Sequence, residues 1–450
     1  MKKRKLLALM LGMVLVLSLA FLAACGNGEE PGDIDEPEIE EEEEIEEEEE
    51  VEQEEEEEEE EEEAAAPDGE TITLWIDQEG YAEALIAGLN ERFPDVNFEF
   101  EELGSVYTID RLALDGPAGI GADIILFPHD QIANAINQDL LLPLGADLAG
   151  MMNGRIPEPS LGTVRIDGDY FAVPLRMESV ALFYNSDLLE EHGLTVAESW
   201  EEIIEQAEEF NDPANNQFII RWEAGNAFFN HSFLTAFGFE LFGPTHDDPD
   251  AINFDTPEAL EGLEFLSSLT EILPVPAGDL NWDTVHGAFV AGEVPYIITG
   301  PWSISDIRDD GAFDWGITRL PTINGNRPIT FSGNNVAAIS ADTNHPDLAR
   351  GVLEFMMSDE GLQILFDEVG AIPALIDISG VSGLAEDPFL TGVFAQTEYS
   401  HPMPAIPEMG HFWDPAGTMY TAVWEGLLTP EEAVANAMEE YEAARALADN

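Results

Sequence analysis

Aromatic side chains and single carboxylates cluster in four short segments of this sequence: 127–130 (FPHD), 177–178 (ME), 300–302 (GPW) and the loop 404–413, which ends in Trp413. Flat aromatic faces can stack on the C–H faces of a sugar ring, and carboxylates accept hydrogen bonds from its hydroxyl groups. Each aromatic residue, taken alone, is also a candidate for the hydrophobic core. Together, the segments indicate a binding site for a neutral, polyhydroxylated ligand.

Signatures of common enzymes and metal sites are missing from the sequence. It has no G-x-S-x-G, H-E-x-x-H, Walker A or EF-hand pattern, and its eight histidines show no metal-ligand spacing. Residues 116–121 (GPAGIG) resemble a dinucleotide-binding loop, but they precede a predicted strand instead of following one. The acidic loop 245–250 (THDDPD) is more typical of an exposed turn than of a cation site. We therefore predict no catalytic residues, no metal and no cofactor.

Strand-like runs alternate with segments of helical periodicity along the chain. The predicted strands are 71–76, 96–101, 123–127, 171–175, 180–184, 218–221, 296–299 and 336–339. The predicted helices include 83–92, 201–210, 257–269, 349–357 and 361–368, with N-cap candidates at Ser199, Thr256 and Ser358. This alternation predicts an α/β fold. Ligands of such folds bind at the carboxyl ends of the strands, where several of the aromatic segments fall.

The chain is strongly acidic: 94 Asp plus Glu oppose 15 Lys plus Arg, which gives a formal net charge of −79. This excess argues against a nucleic-acid partner, because phosphate binding needs clustered Lys and Arg. Cys25 is the only cysteine, so the chain cannot form an internal disulfide. A hydrophobic fraction of 45% is typical of a folded protein, and 450 residues suffice for about two domains.

The N-terminal segment has the composition of an export signal. Residues 2–5 are basic, an apolar run of 19 residues follows, and the segment 22–25 (LAAC) resembles the lipobox of bacterial lipoproteins. We predict that residues 1–25 are a lipoprotein signal peptide and that Cys25 is lipidated. An uncleaved membrane anchor is the alternative. Either arrangement holds the rest of the chain at the extracellular face of the cell membrane, or on its periplasmic side where an outer membrane exists.

Residues 26–67 form a separate acidic segment, with 25 Glu, 2 Asp and no basic residue. Dense like charges repel one another, so we predict a disordered, extended tether. A cation-binding tail is the alternative, but a run of glutamates offers no organised set of ligands.

Eight longer segments carry a resemblance to a known family: 72–76, 122–130, 171–189, 199–203, 294–307, 315–328, 359–375 and 403–413. In this order they resemble the extracellular solute-binding proteins of carbohydrate ABC transporters. FPHD, the context of Met177-Glu178 and MPAIPEMGHFW (403–413) are most similar to the maltose/maltodextrin-binding proteins. The resemblance covers nearly all of 71–445. It implies an α/β fold of two lobes, with a hinge that the chain crosses three times and a ligand cleft between the lobes.

The resemblance also implies a division of the chain and a function. Lobe 1 comprises 68–177 plus 336–371, and lobe 2 comprises 178–335 plus 372–450. The expected protein is a monomeric, non-enzymatic receptor. It binds a maltose- or maltodextrin-type oligosaccharide by lobe closure and delivers it to the permease of an ABC importer.

The ligand contacts of that family carry over to eight positions: Gln78, Glu79, Phe127, Asp130, Glu178, Phe228, Trp302 and Trp413. The two tryptophans match stacking residues, and Asp130 and Glu178 match carboxylates that bind hydroxyl groups. A phenylalanine replaces a stacking tyrosine at 228 and a tryptophan at 127. Residues 78–79 replace an aspartate–lysine pair.

Three neighbouring positions also depart from the family pattern. Gln131 replaces an arginine, Ile304 a tryptophan and Asn226 a carboxylate. The implied binding surface is thinner and less charged than the family's. This difference argues against maltose itself as the ligand and leaves an α-glucan or another oligosaccharide as the expectation. Structural roles in the core, at the lobe edge or at the hinge are the alternatives for Phe127, Trp302 and Glu178.

Two other functions remain open from the sequence. A secreted glycoside hydrolase would use Asp130 and Glu178 as its two carboxylates, although the sequence marks neither for a raised pKa. A receptor for a polyamine, metal ion or peptide would fit the acidic surface but not the aromatic residues of the cleft.

The folded segment 67–450 holds 67 acidic residues and 11 arginines but no lysine. Arginine stays protonated above about pH 12, whereas lysine titrates near about 10.4. Such a surface suits alkaline or very salty surroundings, where salt screens the repulsion among carboxylates. We expect the melting temperature, followed by circular dichroism, to rise as NaCl is increased into the molar range. A melting temperature that does not respond to salt would contradict this adaptation.

Overall fold

The computed structural model describes residues 69–448. The predicted signal peptide (1–25), the lipidation of Cys25 and the acidic tether (26–67) lie outside these residues. Within 69–448, no helix has both the length and the apolar character needed to cross a membrane.

The strands form two main sheets and one short hairpin. In chain order they are β1 (Thr71–Ile76), β2 (Asn97–Glu102), β3 (Ile124–Pro128), β4 (Arg165–Ile166), β5 (Asp169–Tyr170), β6 (Ala172–Ser179), β7 (Ala181–Asn185), β8 (Ile220–Arg221), β9 (Tyr296–Thr299), β10 (Trp315–Thr318), β11 (Thr330–Ile339), β12 (Ile372–Pro373) and β13 (Ser400–Pro402). The hairpin consists of β4 and β5.

The helices alternate with these strands, as the sequence predicts. They are α1 (Glu79–Arg92), α2 (Thr108–Asp115), α3 (Ile132–Asn137), α4 (Ala146–Met152), α5 (Glu158–Gly162), α6 (Ser186–Glu191), α7 (Trp200–Phe210), α8 (Ala227–Thr235), α9 (Pro257–Ser268), α10 (Trp282–Val290), α11 (Ile304–Asp310), α12 (Pro346–Met356), α13 (Asp359–Val369), α14 (Pro388–Thr397), α15 (Trp413–Trp424) and α16 (Pro430–Ala448).

The first sheet has the strand order β12-β6-β11-β3-β1-β2, with β13 paired to β11. β1 runs parallel to both β2 and β3, and α1 and α2 provide the crossovers that parallel strands require. β11 runs antiparallel to β3 and to β6. β6 therefore points the same way as β1 and β3, and all three strands end at one edge of the sheet.

The second sheet has the strand order β10-β7-β9-β8. β9 is parallel to β8 and antiparallel to β7. β7 therefore begins at the edge where β8 and β9 end. All four residues of β9 are buried, as expected for a short apolar strand inside an α/β layer.

A single buried residue, Val180, separates β6 from β7. The chain thus passes almost directly from the first sheet into the second, and the strand ends of the two sheets face each other. The chain returns to the first sheet between β10 and β11. After β12, α14 packs on β10 and α15 packs on α9, while β13 between them pairs with the first residues of β11. The chain thus crosses between the two sheets more than once. The residues at which one lobe ends and the other begins (177/178, 335/336 and 371/372) stay a prediction.

The predicted start of β11 is wrong, because the strand begins at residue 330 and not at 336. The added segment 330–335 (TFSGNN) is polar and contains glycine, a composition with low strand propensity. Pairing with β6 and β13 on its flanks outweighs this local preference. The short strands β4, β5, β10, β12 and β13 are absent from the prediction, and β6 extends beyond its predicted end.

The three predicted N-caps are confirmed. The side chains of Ser199, Thr256 and Ser358 each accept a hydrogen bond from the backbone N–H three residues later, in the first turns of α7, α9 and α13. Each cap satisfies one of the N–H groups that a helix start leaves without an intrahelical partner.

Ser199→Ala should lower the free energy of unfolding by about 1 kcal/mol, because it removes the cap of α7. Urea denaturation measures this change. Ser268→Ala is the matched control, since that exposed hydroxyl only donates to the Phe265 carbonyl within its own helix. We expect the control to stay within about 0.5 kcal/mol of wild type. Equal effects of the two substitutions would contradict the role of the cap.

Candidate functional site

Four aromatic rings form a continuous series at the facing strand ends. The ring centroid of Phe228 lies 6.2 Å from that of Trp302 and 6.1 Å from that of Phe331, which in turn lies 5.8 Å from that of Trp413. Phe331 is only 3% exposed, whereas the other three rings are half-buried. A buried ring therefore packs against Phe228 and Trp413, and Phe228 in turn contacts Trp302.

Local backbone features hold the rings of Trp302 and Phe228 in place. The Trp302 ring packs against Gly300, where an added Cβ would overlap the ring. Phe228 lies in the first turn of α8, and its backbone N–H donates to Oδ1 of the N-cap residue Asn226 at 3.0 Å. Asn226, which replaces a carboxylate of the family pattern, thus caps the helix that carries Phe228.

Asp130 is the buried carboxylate beside this ring series, at 5% exposed. Trp413 Nε1–H donates to its Oδ2 at 2.9 Å. Burial raises the pKa of Asp130 to about 7, while the hydrogen bond from Trp413 opposes the rise. Its Oδ1 is buried and has no hydrogen-bond partner within residues 69–448. This oxygen can therefore accept a hydrogen bond from a ligand hydroxyl.

His129 fixes the turn that carries Asp130. Its Nδ1 accepts a hydrogen bond from the backbone N–H of Asn334 at 3.0 Å, so Nε2 holds the proton and donates to the Met403 carbonyl at 3.1 Å. Burial lowers the pKa of His129 to about 4, which keeps the imidazole neutral. The ring joins the end of β3 to β11 and to the loop that leads to Trp413.

Glu178 lies near the end of β6, with 15% of its side chain exposed. Arg176 Nε donates to Glu178 Oε1 at 2.8 Å, and Arg176 Nη2 donates to Asp77 Oδ2 at 2.5 Å. Burial raises the pKa of Glu178, and the charge of Arg176 opposes the rise. One guanidinium thus joins the ends of β1 and β6.

Gln78 and Glu79 stand at the start of α1 and differ in their placement. Gln78 Nε2 donates to the carbonyl oxygen of Trp302 at 3.4 Å, which connects the edge of the first sheet to the turn after β9. Glu79 is exposed in the first turn, where a carboxylate interacts favourably with the helix dipole. The structure therefore brings Gln78 to the ring series and leaves Glu79 at the helix surface.

Phe127 is a core residue, which corrects its predicted stacking role. It lies in β3 opposite Val336 of β11 and is 0% exposed, so its ring offers no face to a ligand. Ile304, which replaces a tryptophan of the family pattern, is fully buried as well. The exposed aromatic surface comes instead from Phe228, Trp302 and Trp413.

Three residues that shape the site are missing from the sequence prediction: Asp77, Arg176 and Phe331. Phe331 lies in the polar segment 330–335, whose pattern does not indicate a strand. Asp77 and Arg176 are 99 positions apart, so no local pattern predicts their contact. For Arg176, the sequence does contain one indication of a special role: it is an arginine inside the otherwise largely apolar run AVPLRMES (172–179).

The site therefore offers apolar ring faces together with partly satisfied carboxylates. The raised pKa values of Asp130 and Glu178 have burial as their main cause and were not visible in the sequence. No group of three or more His, Cys, Asp or Glu within the described residues could hold a metal ion. This chemistry matches a neutral ligand with several hydroxyl groups.

Comparison with known proteins identifies relatives over most of the chain. Residues 75–363 match the family described as bacterial extracellular solute-binding protein. The galactooligosaccharide-binding protein of Bacillus subtilis (strain 168) is 26% identical, over 82% of this chain and 88% of its own length. The maltotriose-binding protein of Pyrococcus abyssi (strain GE5 / Orsay) is 28% identical, over 80% of this chain and 78% of its own length.

A solved structure is similar as well. It is the crystal structure of a cyclo/maltodextrin-binding protein complexed with maltotetraose, with a TM-score of 0.67 and 27% sequence identity. The match covers 84% of this chain and 98% of that chain. This likeness confirms the predicted α/β fold of two lobes with a cleft between them. With the match to the family over residues 75–363, it leads to one conclusion: the chain belongs to the bacterial extracellular solute-binding proteins.

Proposed function

We propose that this protein is a receptor that binds a maltodextrin-type oligosaccharide between its two lobes. The observation that carries the proposal is the ring series of Trp302, Phe228, Phe331 and Trp413, with Asp130 hydrogen-bonded to its last member. Sugar rings stack on the half-buried aromatic faces. Their hydroxyl groups donate to Oδ1 of Asp130 and to Glu178.

The relatives support an α-linked glucan as the ligand. One is named for maltotriose, and the similar solved structure contains maltotetraose. The Bacillus subtilis relative is named for galactooligosaccharides, which makes a galactose-containing oligosaccharide the second candidate. Both candidates are neutral, in keeping with a cleft whose ligand contacts are aromatic rings and hydrogen-bond acceptors.

The bound sugar is delivered to the permease of an ABC importer by lobe closure. A ligand drives closure only to the extent that it binds the closed state more tightly than the open state. The hydrogen bonds from Gln78 to Trp302 and from Trp413 to Asp130 are the kind of contact that closure forms. The receptor acts as a monomer, with lobe 1 in 68–177 plus 336–371 and lobe 2 in 178–335 plus 372–450.

A lipid on Cys25 holds the receptor at the extracellular face of the cell membrane after removal of the signal peptide 1–25. Residues 26–67 serve as the tether. About 40 residues at roughly 3.3–3.6 Å each can span on the order of 140 Å. The acidic segment thus gives the binding domain room to reach the permease and to sample the medium.

The receptor performs no reaction on the sugar. Raised pKa values at Asp130 and Glu178 would suit an acid catalyst, but one oxygen of each carboxylate is engaged by Trp413 or Arg176. We assign both carboxylates to the binding of hydroxyl groups. This role needs acceptors that are held in place rather than groups that exchange protons with the substrate.

Loss of either half-buried tryptophan should weaken sugar binding. In isothermal titration with maltose, maltotriose and maltotetraose, we expect Trp302→Ala and Trp413→Ala each to cost roughly 1–3 kcal/mol, because each removes a stacking face. Trp282→Ala is the matched control, since Trp282 is 39% exposed on α10 and stacks on His286. We expect the control to bind like wild type.

The same titration with galactooligosaccharides tests the second candidate. Heat with galactooligosaccharides but with no α-glucan would select the second candidate, and no heat with any oligosaccharide would overturn the proposed function. Wild-type affinity in both tryptophan variants would place binding elsewhere on the molecule. Shorter sugars found by chromatography after the titration would indicate a glycoside hydrolase.

Asp130 should make the affinity depend on pH. Because its pKa is raised to about 7, the ionised fraction grows as the pH increases through neutrality. An ionised carboxylate forms hydrogen bonds about twice as strong as a neutral acceptor does. Affinity for the sugar should therefore increase between about pH 6 and pH 8 in wild type and depend less on pH in Asp130→Asn, where Glu178 is the remaining ligand carboxylate with a raised pKa. Titrations that show the same pH dependence in both proteins would exclude this role of Asp130.

A further inference from the structure

We propose that Asp77 and Arg176 form a second hydroxyl-binding pair in the cleft and together bind one hydroxyl group of the sugar. The inference rests on the proposed function, since it adds a contact to the same ligand. Asp77 immediately follows β1, and Arg176 lies near the end of β6. Both side chains therefore start from the edge of the first sheet that faces the second.

Arg176 is buried, at 3% exposed, and its donors are only partly used. A guanidinium presents five N–H donors in one plane. Nε and Nη2 donate to Glu178 and Asp77, whereas Nη1 is buried and has no hydrogen-bond partner in the described part of the chain. An unpaired donor on a buried charge is destabilising and calls for a partner.

Asp77 presents the complementary acceptor. Its Oδ2 accepts from Arg176 Nη2 at 2.5 Å, and its Oδ1 is buried and unpaired among residues 69–448. The free donor and the free acceptor thus belong to the two members of one ion pair. The Asp77 side chain is 14% exposed, so the pair is not sealed from its surroundings.

A single hydroxyl group matches both unpaired atoms. Its oxygen accepts a hydrogen bond from Nη1 of Arg176, and its proton is donated to Oδ1 of Asp77. A ligand carboxylate would meet the negative charge of Asp77, and a ligand amine would meet the positive charge of Arg176. The pair therefore favours a neutral hydroxyl over either kind of charged group.

The competing explanation is a purely structural ion pair that ties β1 to β6. Arg176 does hold Glu178 and Asp77 in place, and the charges of both acids outweigh burial and raise the pKa of the guanidinium. A structural pair would affect stability, and through it the binding of every sugar alike. A hydroxyl-binding pair affects the recognition of one particular hydroxyl group.

The test is isothermal titration of wild type, Asp77→Asn and Arg176→Lys with maltotriose and its monodeoxy derivatives. Asp77→Asn keeps one acceptor for Nη2, and Arg176→Lys keeps the charge but loses the planar set of donors. We expect each substitution to weaken maltotriose binding about 10- to 100-fold, the effect of losing a buried hydrogen bond to a charged group. Asp387→Asn is the matched control, because Asp387 is another largely buried acid that pairs with an arginine, Arg308, outside the ring series. Asparagine can still cap α14, so the control should bind like wild type.

The monodeoxy sugars decide between the two explanations. One derivative, which lacks the hydroxyl held by the pair, should bind wild type and Asp77→Asn equally, whereas the other derivatives should still distinguish them. An equal loss with every derivative, or wild-type affinity in both variants, would overturn the inference and leave the proposed function intact.

If wild type binds galactooligosaccharides instead, the same comparison uses their deoxy derivatives. If it binds no oligosaccharide, the proposed function fails and this inference fails with it. Thermal melting of each variant shows that the protein is folded.

Discussion

The passage of β6 into β7 through Val180 is the constraint on which the rest of the structure depends. With one buried residue between strands of different sheets, the two sheets must meet through their strand ends. The polar and aromatic groups of the site are attached at those ends: Asp130 after β3, Glu178 at the end of β6 and Trp302 after β9. The cleft follows from the topology, and short turns are enough to position its side chains.

Burial and pairing leave the cleft with far fewer uncompensated charges than the surface. The chain as a whole carries a net charge of −79, whereas the charged groups of the site are few, and two of its three acids pair with the guanidinium of Arg176. Burial raises the pKa of Asp130 and Glu178, and each carboxylate is only partly satisfied by Trp413 or Arg176. Such groups bind a neutral hydroxylated molecule well, because its hydroxyl groups complete their hydrogen bonds without adding charge. The charge of the acidic surface is then expected to interact with the ions of the medium rather than with the ligand.

The sequence predicts those features of the fold that depend on local patterns. The strand Thr71–Ile76 and the helix caps at Ser199, Thr256 and Ser358 are predicted correctly, because apolar runs and capping residues act within a few positions. The segment 330–335 is not, since its pairing comes from strands distant in the sequence.

The candidate site divides in the same way. The resemblance to a family identifies Trp302, Trp413 and Asp130, whose hydrogen bond and ring contacts the structure then provides. It also places Phe127 among the ligand contacts, but burial in β3 depends on packing that no local pattern reveals. The contact of Asp77 with Arg176 likewise becomes visible only when β1 and β6 lie in one sheet.

The most direct test of the central claim is a crystal structure of the protein grown with maltotetraose. We expect electron density for sugar rings between the two sheets, stacked on Trp302 and Trp413 and within hydrogen-bonding distance of Asp130 and Glu178. Sugar density at another place on the molecule, with the cleft free of sugar, would contradict it.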